Sequence, residues 1–351
     1  MRKTLCLLLL VCLLLPLCAC GREAATYPVS LWLSEDDPLA SAMTLAVEEY
    51  NRTRKASAPP LALRRFESAA ALEQALGTAR PDLLLCSHTL SFALDERALL
   101  TNAGVSVSYP EAVAYRAEGI GRSVYPIGSR VQLLCSAEEP PAGFGALCAR
   151  AAAYGAETRL PFLGADSYAD LLCQLVLASG EFHADRERDC FSEAFRAGWN
   201  ALADAAFSGG LYVGEADAFA LLRSALPAVI VYSDALASGV PEGRALSLLC
   251  PEGTPLLADQ RTLAVLSRDG RQQRGAAAFL RWFFSGDRAA KLALSCALIP
   301  ALPGGEGADA LSSLLLSLRE RTLWLADGGS DYIRNRAAFE QDFRKAMDLL
   351  K

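Results

Sequence analysis

The sequence predicts an α/β protein that folds into two lobes, and three observations support this. Its 351 residues exceed the size of one typical domain, and a hydrophobic content of 52% is enough for two cores. Segments with the apolar period of a strand alternate with segments that have the period of a helix. One predicted strand, Leu83-Leu84-Leu85-Cys86, is continuously apolar, as strands of parallel sheets covered on both faces are.

The N-terminal segment predicts export from the cell interior. Arg2 and Lys3 precede an apolar run at residues 5–17, which is the layout of a signal peptide, and we assign residues 1–19 to it. The run is shorter than the roughly 20 apolar residues that a membrane-spanning helix needs. No later run is long and uncharged enough to replace it, so we expect the rest of the chain to be water-soluble.

The residues around Cys20 predict a lipid anchor. The segment LCACG resembles a bacterial lipobox, in which the cysteine is diacylated and becomes the first residue after cleavage. Cys20 is the predicted lipidation site, and residues 20–26 are a short tether. Two acyl chains anchor a protein stably, so the chain would sit on the extracellular face of the cell membrane and touch the membrane only through this anchor. The alternative is an ordinary secretory signal that contains cysteines.

Charge and cysteine content exclude several classes of partner and cofactor. Loss of Arg2 and Lys3 with the signal leaves 32 basic residues against 40 acidic ones, a net charge of −8, and no basic stripe suits nucleic acid. The remaining cysteines are odd in number and form no CxxC pair, which argues against a disulfide framework or a zinc site. We expect these cysteines to be buried and to act as small apolar side chains. We also expect the protein to hold no metal and no cofactor. These cysteines stand at positions 86, 135, 148, 173, 190, 250 and 296.

The first hundred residues alternate strands and helices. The pattern predicts strands at residues 29–33, 61–66 and 82–86 and a helix at residues 68–76. Another helix follows the first strand, with Asp37 as its cap, Pro38 at its first position and an apolar face that reaches Tyr50. In open parallel sheets, ligands bind beyond the carboxyl ends of the strands, which here are residues 34–37 and 87–90.

The rest of the chain continues this alternation with more helix. The pattern predicts helices at residues 168–178, 190–207 and 310–351 and strands at residues 228–231, 246–249 and 262–266. A strongly amphipathic helix through Ala276, Phe279 and Phe283 follows the last of these strands.

Four segments, in this order, resemble those of the extracellular solute-binding proteins of ABC importers, the family that includes maltose-binding proteins. VSLWLSEDD is similar to the first strand and ligand loop of the family, and PDLLLCSH to its third strand. YPIGSRVQLLCS resembles the strand that crosses into the second lobe, and a late helix pair ends in Ile299-Pro300-Ala301 as in the family.

This resemblance implies a two-lobed, type II periplasmic-binding-protein-like fold with the ligand in a cleft between lobes that close as a hinge. Lobe one would comprise residues 27–128 plus 262–303, and lobe two residues 129–261 plus 304–351. It also implies a monomer that captures a small polar solute, most readily a sugar, and delivers it to an ABC permease.

Other functions stay open at this point. The chain could be a ligand-sensing lipoprotein that partners a signalling receptor, or it could bind a cationic solute such as a polyamine. An exported enzyme is disfavoured, because His88 and His183 are the only histidines and no GxSxG elbow or HExxH helix is present.

In lobe one, the resemblance points to polar residues that follow the first and third strands. The candidate ligand contacts are Ser34, Glu35, Asp36, Asp37, Ser87, His88 and Tyr125. Carboxylates accept hydrogen bonds from sugar hydroxyls and also suit cations. Capping of a helix is the alternative role for Asp36 and Asp37, and packing between the lobes is the alternative for Tyr125. Thr89 and Leu90 stand where maltose-type binders place an acid and an arginine, which argues against maltodextrin chemistry.

In lobe two, candidates stand at the start of a helix and after a buried strand. The candidate ligand contacts are Asp166, Tyr168, Tyr232, Ser233, Arg261 and Tyr332. A solvated loop is the alternative for Arg261. Many sugar binders carry a tryptophan platform near the position of Ala235 and Leu236, so no stacking surface is expected there.

Overall fold

A computed structural model gives the fold. It describes residues 27–110, 122–178, 193–212, 217–250, 254, 256–257, 259–307, 309–323 and 345. The predicted α/β class is confirmed, with two main sheets and helices packed against them. Cys20, Cys190 and Tyr332, with the signal and tether, lie outside the described residues. Within the described part of the chain, no helix is both long and apolar enough to cross a membrane.

The first sheet contains six strands in the order β11-β4-β10-β3-β1-β2. The elements up to the first crossing between sheets are β1 (Val29–Ser34), α1 (Ala40–Thr53), β2 (Leu61–Phe66), α2 (Ala69–Leu76), β3 (Leu83–Ser87), α3 (His88–Glu96) and β4 (Val124–Arg130). Strand β1 pairs in parallel with β2 and β3. The later strand β10 (Asp259–Val265) lies antiparallel between β3 and β4, and β11 (Ile299–Pro300) closes the sheet beside β4.

The second sheet contains four strands in the order β6-β7-β5-β8. Its elements are β5 (Gln132–Ser136), α4 (Phe144–Thr158), β6 (Leu163–Ala165), α5 (Tyr168–Ala178), α6 (Glu193–Phe207), α7 (Ala218–Arg223), β7 (Ala228–Tyr232) and β8 (Ala245–Ser247). A short 3-10 helix, Ser233–Leu236, follows β7 directly. The remaining elements of the chain are β9 (Leu256–Leu257), α8 (Gly270–Phe283), α9 (Arg288–Ser295), α10 (Ala310–Leu318), a 3-10 turn (Arg319–Arg321) and β12 (Thr322–Leu323).

Apolar side chains cover both faces of each sheet. In the first sheet, Leu31 and Leu83 pack with Phe279 of α8 on one face, while Trp32 and Leu84 form a second cluster on the other. The continuously apolar run of β3 is therefore buried on both faces, as its sequence predicts. Each fully buried aliphatic or aromatic side chain contributes about 1.5–3 kcal/mol. The second sheet is covered in the same way by two further clusters.

The chain passes between the two sheets at neighbouring points. Val131 alone separates β4 of the first sheet from β5 of the second. The chain returns between β9 and β10, and it leaves the first sheet again between β11 and α10. The lobe boundaries stay a prediction, although β10 joins the first sheet at Asp259, three residues before the predicted start of the returning segment.

Several predicted elements agree with the structure, and some differ. Strand β2 has the predicted bounds, whereas α1 begins at Ala40, so the expectation that Pro38 starts the helix is wrong. Asp37 still acts locally, because its Oδ1 accepts a hydrogen bond from the Leu39 backbone N–H at 2.9 Å. A helix, α3, begins at His88 where a loop was predicted, and the sequence pattern missed α4.

The described cysteines behave as small apolar side chains. Five of them are buried and form no disulfide. The buried ones are Cys86, Cys135, Cys148, Cys250 and Cys296. Cys173 is half-buried. Burial raises the pKa of the Cys86 and Cys148 thiols to about 12, so these thiols stay protonated and unreactive at neutral pH.

A glycine in α4 tests how this helix packs. A Cβ at Gly155 would lie 2.2 Å from the Gly210 backbone nitrogen. We expect Gly155→Ala to lower the free energy of unfolding by about 1–3 kcal/mol, the usual cost of overpacking, measured by denaturant titration. Gly145 lies in the same helix with open space around it, so Gly145→Ala should raise stability by up to about 1 kcal/mol. Equal stability of the two variants would contradict this packing.

Candidate functional site

A cavity opens at the carboxyl ends of β1 and β3, where ligands bind in sheets of this type. Its volume is about 1190 Å³, including its mouth to solvent. The charged side chains that line it are Asp36, Asp37, Glu73, Arg130, Asp259 and Arg261. Ser34 and Ser87 line it as well. All of these residues belong to the first sheet or to the helices and turns that connect its strands.

A smaller cavity lies on the side of the second sheet; its space of about 450 Å³ includes open solvent, and only about 20 Å³ of it can hold water. Its polar lining comes from Gln132, Asp170, Gln174 and Tyr232, together with Asp259. Because Asp259 lines both cavities, they lie side by side at the point where the chain returns to the first sheet. A solute bound across this point would contact both lobes.

Four ion pairs form a continuous chain along the wall where the cavities meet. Arg261 contacts Asp37, with Nε and Oδ2 3.3 Å apart, and Asp259, with Nη1 and Oδ1 2.8 Å apart. Arg130 Nε donates to the second carboxylate oxygen of Asp259 at 2.6 Å. Arg130 Nη1 lies 3.7 Å from Asp234 of the 3-10 helix after β7. The pairs thus connect the end of β1 with the end of β7.

Burial changes the pKa values of the side chains in this series of ion pairs. Desolvation raises the pKa of Asp37 above its ordinary value, and the Arg261 guanidinium offsets only part of this rise. For Arg130, burial would lower the pKa, but Asp259, Tyr232 and Asp234 together raise it above its ordinary value. Arg130 therefore stays charged, while Asp37 becomes protonated more easily than an exposed aspartate.

Tyr232 links Arg130 to the second lobe. The Arg130 guanidinium carbon lies 4.0 Å from the centroid of the Tyr232 ring, a cation–π contact. The Tyr232 hydroxyl donates a hydrogen bond to Asp170 Oδ2 on α5. One face of this ring and its hydroxyl are thus engaged by neighbouring side chains, and the ring lines the smaller cavity.

Asp166 holds two strand ends of the second sheet rather than lining a cavity. Its Oδ2 accepts from the Tyr232 backbone N–H at 2.6 Å, and its Oδ1 accepts from Gln132 Nε2 at 2.9 Å. Burial raises the pKa of Asp166 to about 6, although both hydrogen bonds act in the opposite direction. This predicted ligand contact therefore positions Gln132 and Tyr232, which do line the smaller cavity.

Most polar residues at the carboxyl ends of β1 and β3 line the larger cavity, whereas Glu35 and His88 do not. Asp36 is exposed there, accepts from the Ala69 backbone N–H at 3.1 Å and accepts from the Ser34 hydroxyl. Ser87 caps α3 by accepting from the Leu90 backbone N–H at 3.3 Å. Glu35 points elsewhere, because it pairs with Arg65 at 3.0 Å on the exposed surface outside the cavity lining.

Four other predicted contacts are buried away from both cavity linings. Tyr125 is fully buried, with its hydroxyl 2.9 Å from the Val105 carbonyl oxygen and 2.7 Å from that of Arg122. Tyr168 lies in the core of the second sheet. Ser233 Oγ accepts from the Val131 N–H at 3.3 Å, and His88 Nδ1 accepts from the Gln260 N–H at 3.3 Å. The structure does not bring these four side chains into the cavities.

Several residues that form the site were not among the contacts predicted from the sequence. Arg130, Asp259, Glu73 and Asp170 all line a cavity, and none of them was a candidate. A usable signal exists for two of them, because Arg130 ends the crossover segment YPIGSR and Asp259 starts the strand that returns to the first sheet. Among the described residues, no group of three or more histidine, cysteine, aspartate or glutamate side chains is arranged to hold a metal ion.

The raised pKa of Asp166 predicts a pH dependence of stability. Its ordinary pKa is near 3.8 and its folded-state value about 6, so between these pH values the folded chain binds a proton that the unfolded chain has lost. The stability that this group contributes is therefore complete below about pH 4 and falls as the pH rises to about 6. Between pH 4 and pH 7, wild type should lose up to about 3 kcal/mol more free energy of unfolding than Asp166→Asn, measured by denaturant titration. Parallel pH curves for the two proteins would contradict the assignment.

Comparison with known proteins places the fold. No family model and no curated protein matches the sequence. A cyclic alpha-maltosyl-1,6-maltose binding protein from Arthrobacter globiformis is 15% identical, with a TM-score of 0.68 over 93% of this chain and 95% of that one. The substrate-binding protein of an ABC transporter from Agrobacterium tumefaciens is 12% identical, with a TM-score of 0.62 over 91% of this chain and 95% of that one.

A third solved structure agrees with these two. UgpB from Mycobacterium tuberculosis, in complex with glycerophosphocholine, is 16% identical, with a TM-score of 0.63 over 93% of this chain and 98% of that one. At such low identities, the likeness shows the fold alone. The chain has the two-lobed α/β fold of ABC-transporter substrate-binding proteins.

Proposed function

We propose that this protein captures a small polar solute between its lobes and delivers it to an ABC permease, tied to the outer face of the membrane through Cys20. The observation that supports this proposal is a pair of adjacent cavities, which share Asp259 as a lining residue beside two of the crossings between sheets. Hydrogen-bonding side chains from both lobes line them. A solute held there would be contacted from both sides, as delivery by lobe closure requires.

Closure of the lobes is part of the proposal. A permease that reads the closed form needs a solute that binds closed lobes far better than open ones, and a shift from 1:99 to 99:1 takes about 5.5 kcal/mol of differential binding. Contacts from Asp36 in lobe one and from Tyr232 in lobe two would supply that difference. Val131, the single residue between β4 and β5, is where the chain would bend.

A binding role accounts for the site better than catalysis does. The ionisable groups where the cavities meet are engaged with one another in ion pairs, and His88 is buried with its Nδ1 on a backbone N–H. His183 lies outside the described residues. Such a wall suits a preformed receptor, in which charged groups are held in place before the solute arrives.

The fold does not by itself fix the ligand. The name of the Arthrobacter protein gives an oligosaccharide, and the Mycobacterium structure contains glycerophosphocholine. The carboxylates of the larger cavity can accept hydrogen bonds from sugar hydroxyls or from an ammonium group. Both a sugar and a cationic solute are therefore compatible with a receptor of this kind.

A ligand screen tests the proposal. The full chain, purified in detergent, is unfolded by heat in the presence of sugars, polyols, amino acids, polyamines and metal ions. A ligand at 100 times its Kd adds about 2.7 kcal/mol to stability and should raise Tm. Asp36→Ala in lobe one and Tyr232→Ala in lobe two should each weaken that ligand about tenfold or more, because each removes a contact to the solute.

Glu35→Ala is the matched control for this screen, since Glu35 adjoins Asp36 in sequence but lies outside the cavity lining. It should leave affinity unchanged. The Tm of each variant without ligand shows whether it folds. A panel in which no solute raises Tm would contradict the proposal.

The anchor has its own test. We expect Cys20→Ser to move the protein from the membrane fraction to the soluble fraction or to leave it unprocessed, because serine cannot carry the thioether-linked lipid. Metabolic labelling with a fatty-acid analogue should mark wild type and not the variant. Cys18→Ser is the control, since it changes a neighbouring cysteine within the same segment. Equal labelling of wild type and Cys20→Ser would refute the anchor.

A further inference from the structure

The two cavities contain more negative than positive side chains. Their carboxylates are Asp36, Asp37, Glu73, Asp170 and Asp259. Arg130 and Arg261 are the two cationic side chains in the described lining. This excess of acidic groups belongs to the site itself, whatever the charge of the remaining surface.

The arginines do not neutralise the most accessible of these acids. Arg261 is occupied by Asp37 and Asp259, and Arg130 by Asp259, Asp234 and the ring of Tyr232. Within the described residues, neither Asp36 nor Glu73 forms an ion pair with a lysine, arginine or histidine. Both are exposed in the larger cavity, so their charge is open to a solute.

The cavities also lack an open aromatic face. Among the described lining residues, Tyr232 supplies the one aromatic ring, and the Arg130 guanidinium lies 4.0 Å from its centroid. Aliphatic side chains make up the rest of the apolar lining, with Leu72, Leu85 and Leu90 in the larger cavity. Val131, Leu171, Leu248 and Leu256 are among those in the smaller one. A sugar ring would find little surface to stack on here, whereas a flexible hydrocarbon chain packs well against leucine and valine.

We propose that the solute is an aliphatic organic cation, with a positively charged nitrogen near Asp36 and Glu73 and its hydrocarbon part against the leucines. This inference rests on the proposed function, since it names the solute class of the same site. A protonated amine or quaternary ammonium group would balance the excess negative charge. An anion would meet unpaired carboxylates, and a neutral solute would leave those carboxylates unbalanced.

Matched probes separate charge from shape. Titration calorimetry on the full chain in detergent compares putrescine, cadaverine and choline with the neutral diols that match the two diamines in length, and with maltose. We expect the amines to bind at least tenfold more tightly than the corresponding diols, and we expect their affinity to fall as salt is raised, because open carboxylates are screened. Asp36→Asn and Glu73→Gln should each weaken amine binding about tenfold, whereas Glu35→Gln, whose carboxylate lies outside the cavity lining, should not.

Each alternative outcome overturns the inference in a different way. Binding of a diol or of maltose as tight as that of the amines overturns the cation class but leaves solute binding standing. If Asp36→Asn and Glu73→Gln bind the amines as tightly as wild type does, the cation binds to another surface. That result would contradict the proposed position of the cation near these two carboxylates. If no probe binds, although the Tm of each protein shows that it is folded, the proposed cation class is wrong. The same result would also count against solute binding.

Discussion

The arrangement of the site depends on one carboxylate, that of Asp259. Its two oxygens accept hydrogen bonds from Arg130 at 2.6 Å and from Arg261 at 2.8 Å, so it joins the strand that leaves the first sheet to the strand that returns to it. Strands β4 and β10 are neighbours in the first sheet, and their register puts Asp259 opposite Arg130. Backbone pairing alone therefore brings these two residues close together. The place where the sheets meet is thus fixed by backbone and charge together.

The same ion pairs also explain how charged side chains can be buried in the cleft and still be held in fixed positions. A carboxylate or guanidinium taken out of water loses hydration, and only good pairing geometry compensates for this loss. Asp37, Arg261 and Asp259 are nearly buried and compensate one another. Asp36 and Glu73 stand nearer solvent and keep their hydration, so they can exchange water for a solute at lower cost.

Much of the fold could be predicted from sequence, because it follows from local patterns. The apolar run of β3 and the bounds of β2 are examples, and so is the placement of Ser34, Asp36 and Ser87 at strand ends beside a cavity. Helix α4 was harder, since its two glycines lower helix propensity, and the close approach of Gly155 to Gly210 that explains one of them is a tertiary contact.

Other parts of the site arise from contacts distant in sequence and therefore leave no local pattern. Arg130 and Asp259 are 129 residues apart and meet only through strand pairing. The burial of Tyr125 and His88 also depends on which face of its strand or helix each side chain occupies. Packing across the whole sheet determines that face.

Solution X-ray scattering of the full chain tests most directly whether solute binds between the lobes. The radius of gyration is measured with and without a saturating concentration of whichever solute raises Tm. If the solute contacts both lobes across Asp259, the lobes draw together and the radius of gyration falls. A radius that stays the same while calorimetry shows the site saturated would place binding on one lobe alone and contradict the account.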